Sequence, residues 1–499
     1  MNTKKKSEYS LNFSIQNSAP ENTDAILELA VKHQLGNRFA DAEQLYYQVV
    51  EKQPLHLQAL YNLASLHQTQ GNLESAIAFY QKVIKLNPNN GEFHLQLGKA
   101  YQQQGSLQDA ISAYRQGISL INPHYAEVLK NITKLEVPKT VSVTPPEHQG
   151  EVSINNYQFP EIPRVAKLSK RLFWSVVLPV YSNKERVNYI LECLVSILTQ
   201  WTGKDEMEII IVDDNSPISL RDLVYELGIG IISYYRNGEN RGAYRNFNTA
   251  VAISKGQWIH LLHDDDYVLP GFYHRLRQSL EQSPDSVGAA FTNYQNVNEQ
   301  GKVIFSQQLY EQQRRIIQDF GERIGITNPL NMPAVVVRRS TYEHLGGYLS
   351  ELNYTGDWEF YKRITAFYDW WYEPEILACY REHSQNITAD SMLSGSKGTD
   401  IRRAIEVSEK YLSDEITVKS RHYHFACCLN NAIIPLKAGK ISGALLLLQE
   451  ALKIENSPQS VTKLFSWLKQ DELSALRDEI VSRLLLEGLK VEAPMQNEF

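Results

Sequence analysis

Little in this chain of 499 residues points to a membrane, a disulfide-built scaffold or a nucleic-acid surface. Cysteine is scarce: Cys193, Cys379, Cys427 and Cys428 stand without C-x-x-C spacing, so neither a zinc site nor a disulfide framework is indicated, and a reducing cytoplasm is the expected compartment. No uninterrupted apolar run approaches the roughly 18 residues that a transmembrane helix needs. The N-terminus, MNTKKKSEYSLNFSIQNSAP, has a basic start but lacks the apolar core of a signal peptide, and residues 1–22 are expected to form a disordered tail. There is no basic surplus either: a net charge of -7 and a pI near 6.0 give no field that would draw in nucleic acid or an anionic membrane. The N-x-[ST] triplets at Asn131, Asn353 and Asn386 matter only in a secreted chain. Length, by contrast, is ample, enough for two to four domains.

Residues 23–124 repeat themselves at an interval of 34, within a repeat domain expected over 23–135. Ala42, Ala76 and Ala110 keep that step, as do Tyr46, Tyr80 and Tyr114, and so do Asn37, Gly71 and Gly105. Val49 and Val83 are followed by Gly117, and Pro54 and Pro88 by a Pro123 that arrives one residue late. Asn or Gly supplies the left-handed turn that ends one helix, the small Ala lets two helices approach, and Tyr fills the groove to the next unit. The pattern resembles the tetratricopeptide repeat, three units of an α-helical solenoid, with Pro123–Leu135 as a capping helix. Such arrays expose a concave groove suited to a partner protein or an acceptor. Residues 136–171 carry Pro138, Pro145, Pro146, Pro160 and Pro163 without periodicity, and read as a semi-rigid linker.

From Leu172 the pattern changes to short apolar runs that end in polar residues. SVVLPVYSN reaches Pro179 and Tyr181, EIIIVDDNSP ends at Asp213 and Asp214, IGIISYY follows, and GQWIHLLHDDDYVLP breaks into Asp264, Asp265 and Asp266. Continuous apolar strands alternating with helical stretches imply an α/β domain with a mostly parallel, Rossmann-like sheet, whose ligands bind beyond the carboxyl ends of the strands. Three adjacent carboxylates repel one another and need a positive partner, for which a hard divalent cation, Mg²⁺ or Mn²⁺, is one candidate. A solvated acidic turn before the helix begun at Pro270 is the other. The segment RNGENRGAYRNFNTA adds Arg236, Arg241 and Arg245 on a glycine-permissive loop suited to a diphosphate.

Taken in order, VVLPVY, IIIVDDNS, NRG, HDDDYVLP, GDWEF and YREH, over roughly residues 172–390, resemble the family 2 glycosyltransferases of the GT-A fold. The resemblance implies an inverting, metal-dependent transfer of a sugar from a nucleoside diphosphate donor, a UDP-sugar being the first expectation, to a hydroxyl of a glycan, lipid-linked or protein acceptor. It implies Pro179, Tyr181, Asp214, Arg241, Asp264 and Arg381 as nucleotide-sugar ligands, with Tyr181 against the base, Asp214 at its edge and Asp264 at the ribose. Asp265 is implied as a metal ligand, assisted by Asp266 and His383, and Asp357 as the general base. His263 stands where the family's motif carries an acid, so metal binding is expected to lean on Asp265. Without the resemblance, Asp213 reads as a turn acid and His263 as a structural histidine.

After the domain spanning 172–395, residues 396–490 are helical in pattern. Gly439, Ala444, Leu448 and Ala451 repeat the spacing of the first region, one further tetratricopeptide-like unit that must bury its face on something else. The tail VEAPMQNEF reads as disordered. The chain is thus expected to be a cytoplasmic glycosyltransferase, with peripheral membrane association left open, whose repeats recruit a partner. The rival readings are a non-catalytic repeat scaffold with a degenerate domain, or a nucleotidyltransferase.

Overall fold

The computed structural model describes residues 22–131, 141–142, 150–166, 171–308, 310–317, 320–384, 387–469, 477 and 481–482. Both expected tails, apart from residue 22, and Asn386 lie outside the described residues. Two compact units divide the chain, one up to Ile121 and one from Asn122 onward.

The first unit is three helical hairpins: α1 (Thr23–Leu35) with α2 (Phe39–Lys52), α3 (Leu57–Thr69) with α4 (Leu73–Leu86), and α5 (Gly91–Gln104) with α6 (Leu107–Ile121). Their turns are made by Asn37, Gly71 and Gly105, all left-handed with φ of 56°, 81° and 86°. The repeated Ala and Tyr residues are buried. Each tyrosine hydroxyl donates to a glutamine on the preceding helix, Tyr46 to Gln34 (2.6 Å), Tyr80 to Gln68 (2.8 Å) and Tyr114 to Gln102 (2.6 Å). These glutamines also stand 34 apart, a part of the repeat that satisfies the buried hydroxyl and that hydropathy does not reveal. Gly117 replaces the valine of the other units because α5 and α6 pack closely: a Cβ on Gly117 would lie 2.6 Å from Leu95 Cδ2 and 2.9 Å from the Gly91 carbonyl oxygen. Helix α6 has 15 residues where α2 and α4 have 14, which accounts for the late Pro123.

The second unit begins with α7 (Pro123–Asn131), the expected cap of the array. Hydrogen bonds tie its start to residues later in the chain. Tyr125 donates to the Leu227 carbonyl (2.7 Å), and Asn122 to those of Leu198 (2.8 Å) and Trp201 (2.9 Å). The stretch expected as a linker also contributes structure. It holds β1 (Val141–Ser142) and a hairpin of β2 (Glu151–Ile154) and β3 (Tyr157–Pro160), turned by Asn155 and Asn156 with φ of 47° and 67°. Phe159 and Ile162 are buried in the domain core.

The domain proper runs β4 (Trp174–Val180), α8 (Val187–Leu198), β5 (Met207–Asp213), α9 (Arg221–Gly228), β6 (Ile232–Arg236), α10 (Ala243–Ile253), β7 (Trp258–Leu261), β8 (Tyr267–Val268) and α11 (Phe272–Leu280). It continues with β9 (Val287–Val297), β10 (Val303–Ser306), β11 (Arg315–Ile316), α12 (Phe320–Ile326), β12 (Val335–Arg338), α13 (Arg339–Leu345), α14 (Gly356–Phe367) and β13 (Asp369–Arg381). Strand order is β1-β6-β5-β4-β7-β12-β9-β13-β11, with β10 on β9 and β8 on β13. The half from β1 to β7 is parallel, as its unbroken apolar strands require. Strand β12 then runs antiparallel to both β7 and β9, so the sheet as a whole is mixed.

Helices α15 (Ile387–Ser394), α16 (Ser396–Ser408), α17 (Asp414–Asn431), α18 (Ile433–Lys437), α19 (Ile441–Ile454) and α20 (Pro458–Leu468) complete the unit. Gly439 makes the expected left-handed turn (φ 71°), and Ala444, Leu448 and Ala451 are fully buried. Their core is continuous with that of the sheet domain through Trp358, Phe425 and Cys428, so the single repeat-like unit is covered by the domain and its neighbouring helices.

One buried ion pair pins the middle of the domain. Arg363 and Glu359, both fully buried on α14, pair at 2.8 Å, and Arg363 also donates to the carbonyls of Leu345 (2.6 Å) and Gly347 (2.8 Å). Arg363→Met is expected to leave Glu359 charged and alone and to lower stability by about 3–5 kcal/mol, measured by chemical denaturation of the full chain.

Candidate functional site

Strands β4, β5 and β7 are parallel and in register, so their carboxyl ends come together at one side of the sheet. There they form a cavity of about 420 Å³ lined by Pro179, Tyr181, Arg186, Asp214, Asn240, Gly242, Asn246, Asp264 and Asp265, among others. Five sequence-expected residues, Pro179, Tyr181, Asp214, Asp264 and Asp265, line it. Tyr181 is half-exposed at its mouth.

Asp214 is buried, and its carboxylate accepts the Arg241 amide at 3.0 Å on either oxygen, the Gly242 amide at 2.9 Å and the Asn237 carboxamide at 2.8 Å. It fixes the glycine-permissive loop through its backbone. Arg241 contributes its amide here, and its guanidinium is not part of the cavity wall. Asp213 turns away, accepting from Arg236 (2.6 Å), from Tyr234 and from the Ser216 amide (2.7 Å), which makes it a turn acid.

The acid triplet has a positive partner that hydropathy and spacing did not disclose. Arg186, on the loop after β4, donates one nitrogen to Asp264 and to Asp265, the latter at 2.9 Å. The three acids are then electrically unequal. Burial pushes Asp264 up to about 6 against the pull of Arg186. Burial also acts upward on Asp265, but the His383 hydrogen bond (2.9 Å), Arg186 and His263 outweigh it and hold this carboxylate well below its usual range. Burial and the neighbouring Asp265 raise Asp266 well above that range.

Arg381 anchors this corner. Its backbone amide donates to Asp266 (2.8 Å), its Nε to the Asp265 carbonyl (2.9 Å), and its remaining nitrogens to Glu192 and to the Glu299 carbonyl (3.2 Å). Expected as a diphosphate ligand, the guanidinium is instead 1% exposed and engaged with protein on every side. His383 stacks on Tyr189 (5.1 Å) and reaches Asp265 from behind.

A different imidazole completes a ligand cluster. His263, Asp265 and Asp266 each offer an atom within 4.8 Å of the others. His263 Nε2, Asp264 Oδ2 and Asp266 Oδ2 are buried without a hydrogen-bond partner. Burial lowers the His263 pKa, which keeps a lone pair available on the ring. Two carboxylates, a neutral imidazole and unsatisfied donor atoms fit a divalent cation.

A second cavity, about 360 Å³, adjoins the first. Ala243, Phe247, His263 and Tyr380 line both. Asp357 lies in the second, in the first turn of α14, held by the Asn328 carboxamide at 3.0 Å. Burial raises its carboxyl to about 6.

Residues 175–338 match the glycosyl transferase family 2 model, and residues 69–105 and 91–124 match TPR and tetratricopeptide repeat models. The chain carries a family 2 glycosyltransferase domain. The helices before it match tetratricopeptide repeats. An uncharacterized glycosyltransferase of Haemophilus influenzae is 29% identical over 194 residues, 38% of this chain and 61% of that protein. The poly(ribitol-phosphate) beta-glucosyltransferase of Bacillus spizizenii is 36% identical over 100 residues, 19% of this chain and 15% of that protein. The chain therefore spans less than two thirds of either relative. The crystal structure of S. aureus TarS 1-349 in complex with UDP-GlcNAc superposes with a TM-score of 0.47 at 17% identity, covering 59% of this chain and 84% of that one.

Arg381→Lys tests the anchoring of the family 2 domain's acidic corner. A lysine cannot reach Glu192 and the carbonyls of Asp265 and Glu299 at once, and a loss of about 1.5–3 kcal/mol is expected from thermal or chemical unfolding.

Proposed function

We propose that the chain is a metal-dependent, inverting glycosyltransferase that moves a sugar from a nucleoside diphosphate sugar, a UDP-sugar first among them, to an acceptor hydroxyl. The observation that carries this reading is the pair of adjoining cavities. Acids and Arg186 lie in one, a carboxyl raised to about 6 lies in the other, and Phe247, His263 and Tyr380 form a shared wall at which a sugar would sit.

In this reading the nucleotide enters the first cavity against Tyr181, over the loop that Asp214 holds in place. Asp264, paired with Arg186, faces the ribose. Held by His263, Asp265 and Asp266, a divalent cation would supply charge neutralisation for the departing diphosphate. His383 acts as a positioning residue that orients Asp265, and Arg381 as the anchor of the loop. Asp357 takes the acceptor proton as the new bond from the acceptor oxygen to the anomeric carbon forms. The bond to the diphosphate oxygen breaks with its electron pair, and a single displacement inverts the centre. A base with a pKa near 6 is ionised at neutral pH and still holds a proton better than an exposed aspartate. The tetratricopeptide repeats bind a partner protein, and the four free cysteines support a reducing, cytoplasmic location. Among the described residues no helix is long and apolar enough to cross a membrane.

Asp357→Asn is expected to cut transfer by about 10²–10⁴-fold while UDP binding persists. In the wild type the rate should fall as pH drops through about 6, where Asp357 takes up a proton and can no longer accept one. A full rate in Asp357→Asn, or a flat profile across that range in a donor-saturated assay, would put the base elsewhere. Asp265→Ala is expected to abolish Mn²⁺ binding in an electron paramagnetic resonance titration, whereas unchanged Mn²⁺ affinity would move the metal to other ligands.

A further inference from the structure

The second cavity is not closed by the family 2 domain alone. Lys397 and Ile401 on α16, and Tyr423, His424 and Cys427 on α17, line it together with Asp357. These helices share one hydrophobic core with α14, so the wall they form is fixed rather than loosely docked.

Three features of that wall call for a ligand of particular chemistry. Lys397 is the one lysine or arginine among the lining residues. It is the second residue of α16, at the positive end of a 13-residue helix where a cation is unfavourable, and no carboxylate among the described residues pairs with it. Its ammonium rests 4.8 Å from the centre of the Tyr354 ring. His424 is 7% exposed, and its Nε2 lies 2.9 Å from the Ile326 carbonyl, so that nitrogen carries the proton. Nδ1 is then an acceptor, and it is buried with no partner. It lacks the hydroxyl or amide donor that a buried acceptor needs. Burial holds the His424 pKa near 3, which keeps that lone pair free. Asparagines 328, 331 and 431 and the rings of Tyr354, Trp358 and Tyr423 make up much of the rest. Carboxamides that give and take hydrogen bonds beside aromatic faces suit a ring with polar edges and apolar faces.

We infer that this cavity binds the acceptor as a saccharide bearing an anionic group, its hydroxyls read by His424 and the asparagines and its carboxylate or phosphate held by Lys397. The C-terminal helices are thereby the specificity-determining part of the acceptor site. The inference rests on the reading of Asp357 as the residue that meets the acceptor hydroxyl.

Saturation-transfer NMR titrations of the full chain with glucose, glucuronate and glucose 6-phosphate, in the presence of Mn²⁺ and enough UDP to fill the first cavity, test it. One or both anionic sugars should bind at least about fivefold more tightly than glucose, the gain of about 1 kcal/mol that one partly exposed ion pair provides. Which of the two is tighter tells carboxylate from phosphate. Lys397→Gln should bring all three within about twofold, and Lys397→Arg should restore the preference. Equal affinity for glucose, a preference that survives Lys397→Gln, or no sugar binding at all would overturn it. UDP affinity, measured alongside by calorimetry, separates the two readings: UDP bound with no sugar preference sinks this inference alone, and absence of UDP binding sinks the proposed function as well.

Discussion

The structure around the site depends on keeping three adjacent carboxylates buried at the end of one strand. Left to themselves they would repel one another and lose their hydration, a cost that no amount of strand packing offsets. The chain solves this in layers. Arg186 bridges Asp264 and Asp265, the Arg381 amide and Nε fix Asp266 and the Asp265 backbone, and His383 braces Asp265 from behind. Two of the acids are pushed toward their neutral form and one is held firmly ionised.

The same economy sets the division of labour among the arginines. Arg381 and Arg363 are fully buried and spend their donors on carbonyls and one carboxylate each, so their role is to hold loops in place. Arg186 is the one that faces the cavity. A guanidinium with several donors in fixed geometry can staple segments that are far apart in sequence, which a lysine cannot do. Asp214 works in the same sense with opposite sign, gathering backbone amides so that the loop before α10 presents its glycine and asparagine to the cavity.

The C-terminal helices extend this plan. They resemble one more repeat in pattern, yet a lone unit cannot bury its own apolar face, and the face is covered by α14, α16 and α17 in a core shared with the sheet. That sharing carries Lys397 and His424 into the cavity that holds Asp357. The first-unit repeats meet the same need differently, by stacking three hairpins on one another through the buried Ala and Tyr positions.

By itself the sequence determined what periodicity and local chemistry control. The 34-residue step fixed the helices and turns of the array because left-handed turns need Asn or Gly, and unbroken Val and Ile runs fixed the strands and the edge at which Tyr181, Asp214 and Asp264–Asp266 gather. It did not reveal β9, the β2–β3 hairpin inside the proline-containing stretch, or the antiparallel direction of β12, since strand direction is set by pairing and not by composition. Tertiary structure alone decided which charge meets which. Arg186 lies 78 residues from Asp264, and His383 lies 118 from Asp265, and no local pattern encodes such pairs. It set His263 beside Asp265 and Asp266, gave His383 a hydrogen bond to Asp265, and engaged the Arg381 guanidinium with Glu192 and backbone carbonyls. It also brought Asp357 to a cavity completed by helices far along the chain. Those outcomes follow from where low dielectric and distance place each group, which only the folded chain specifies.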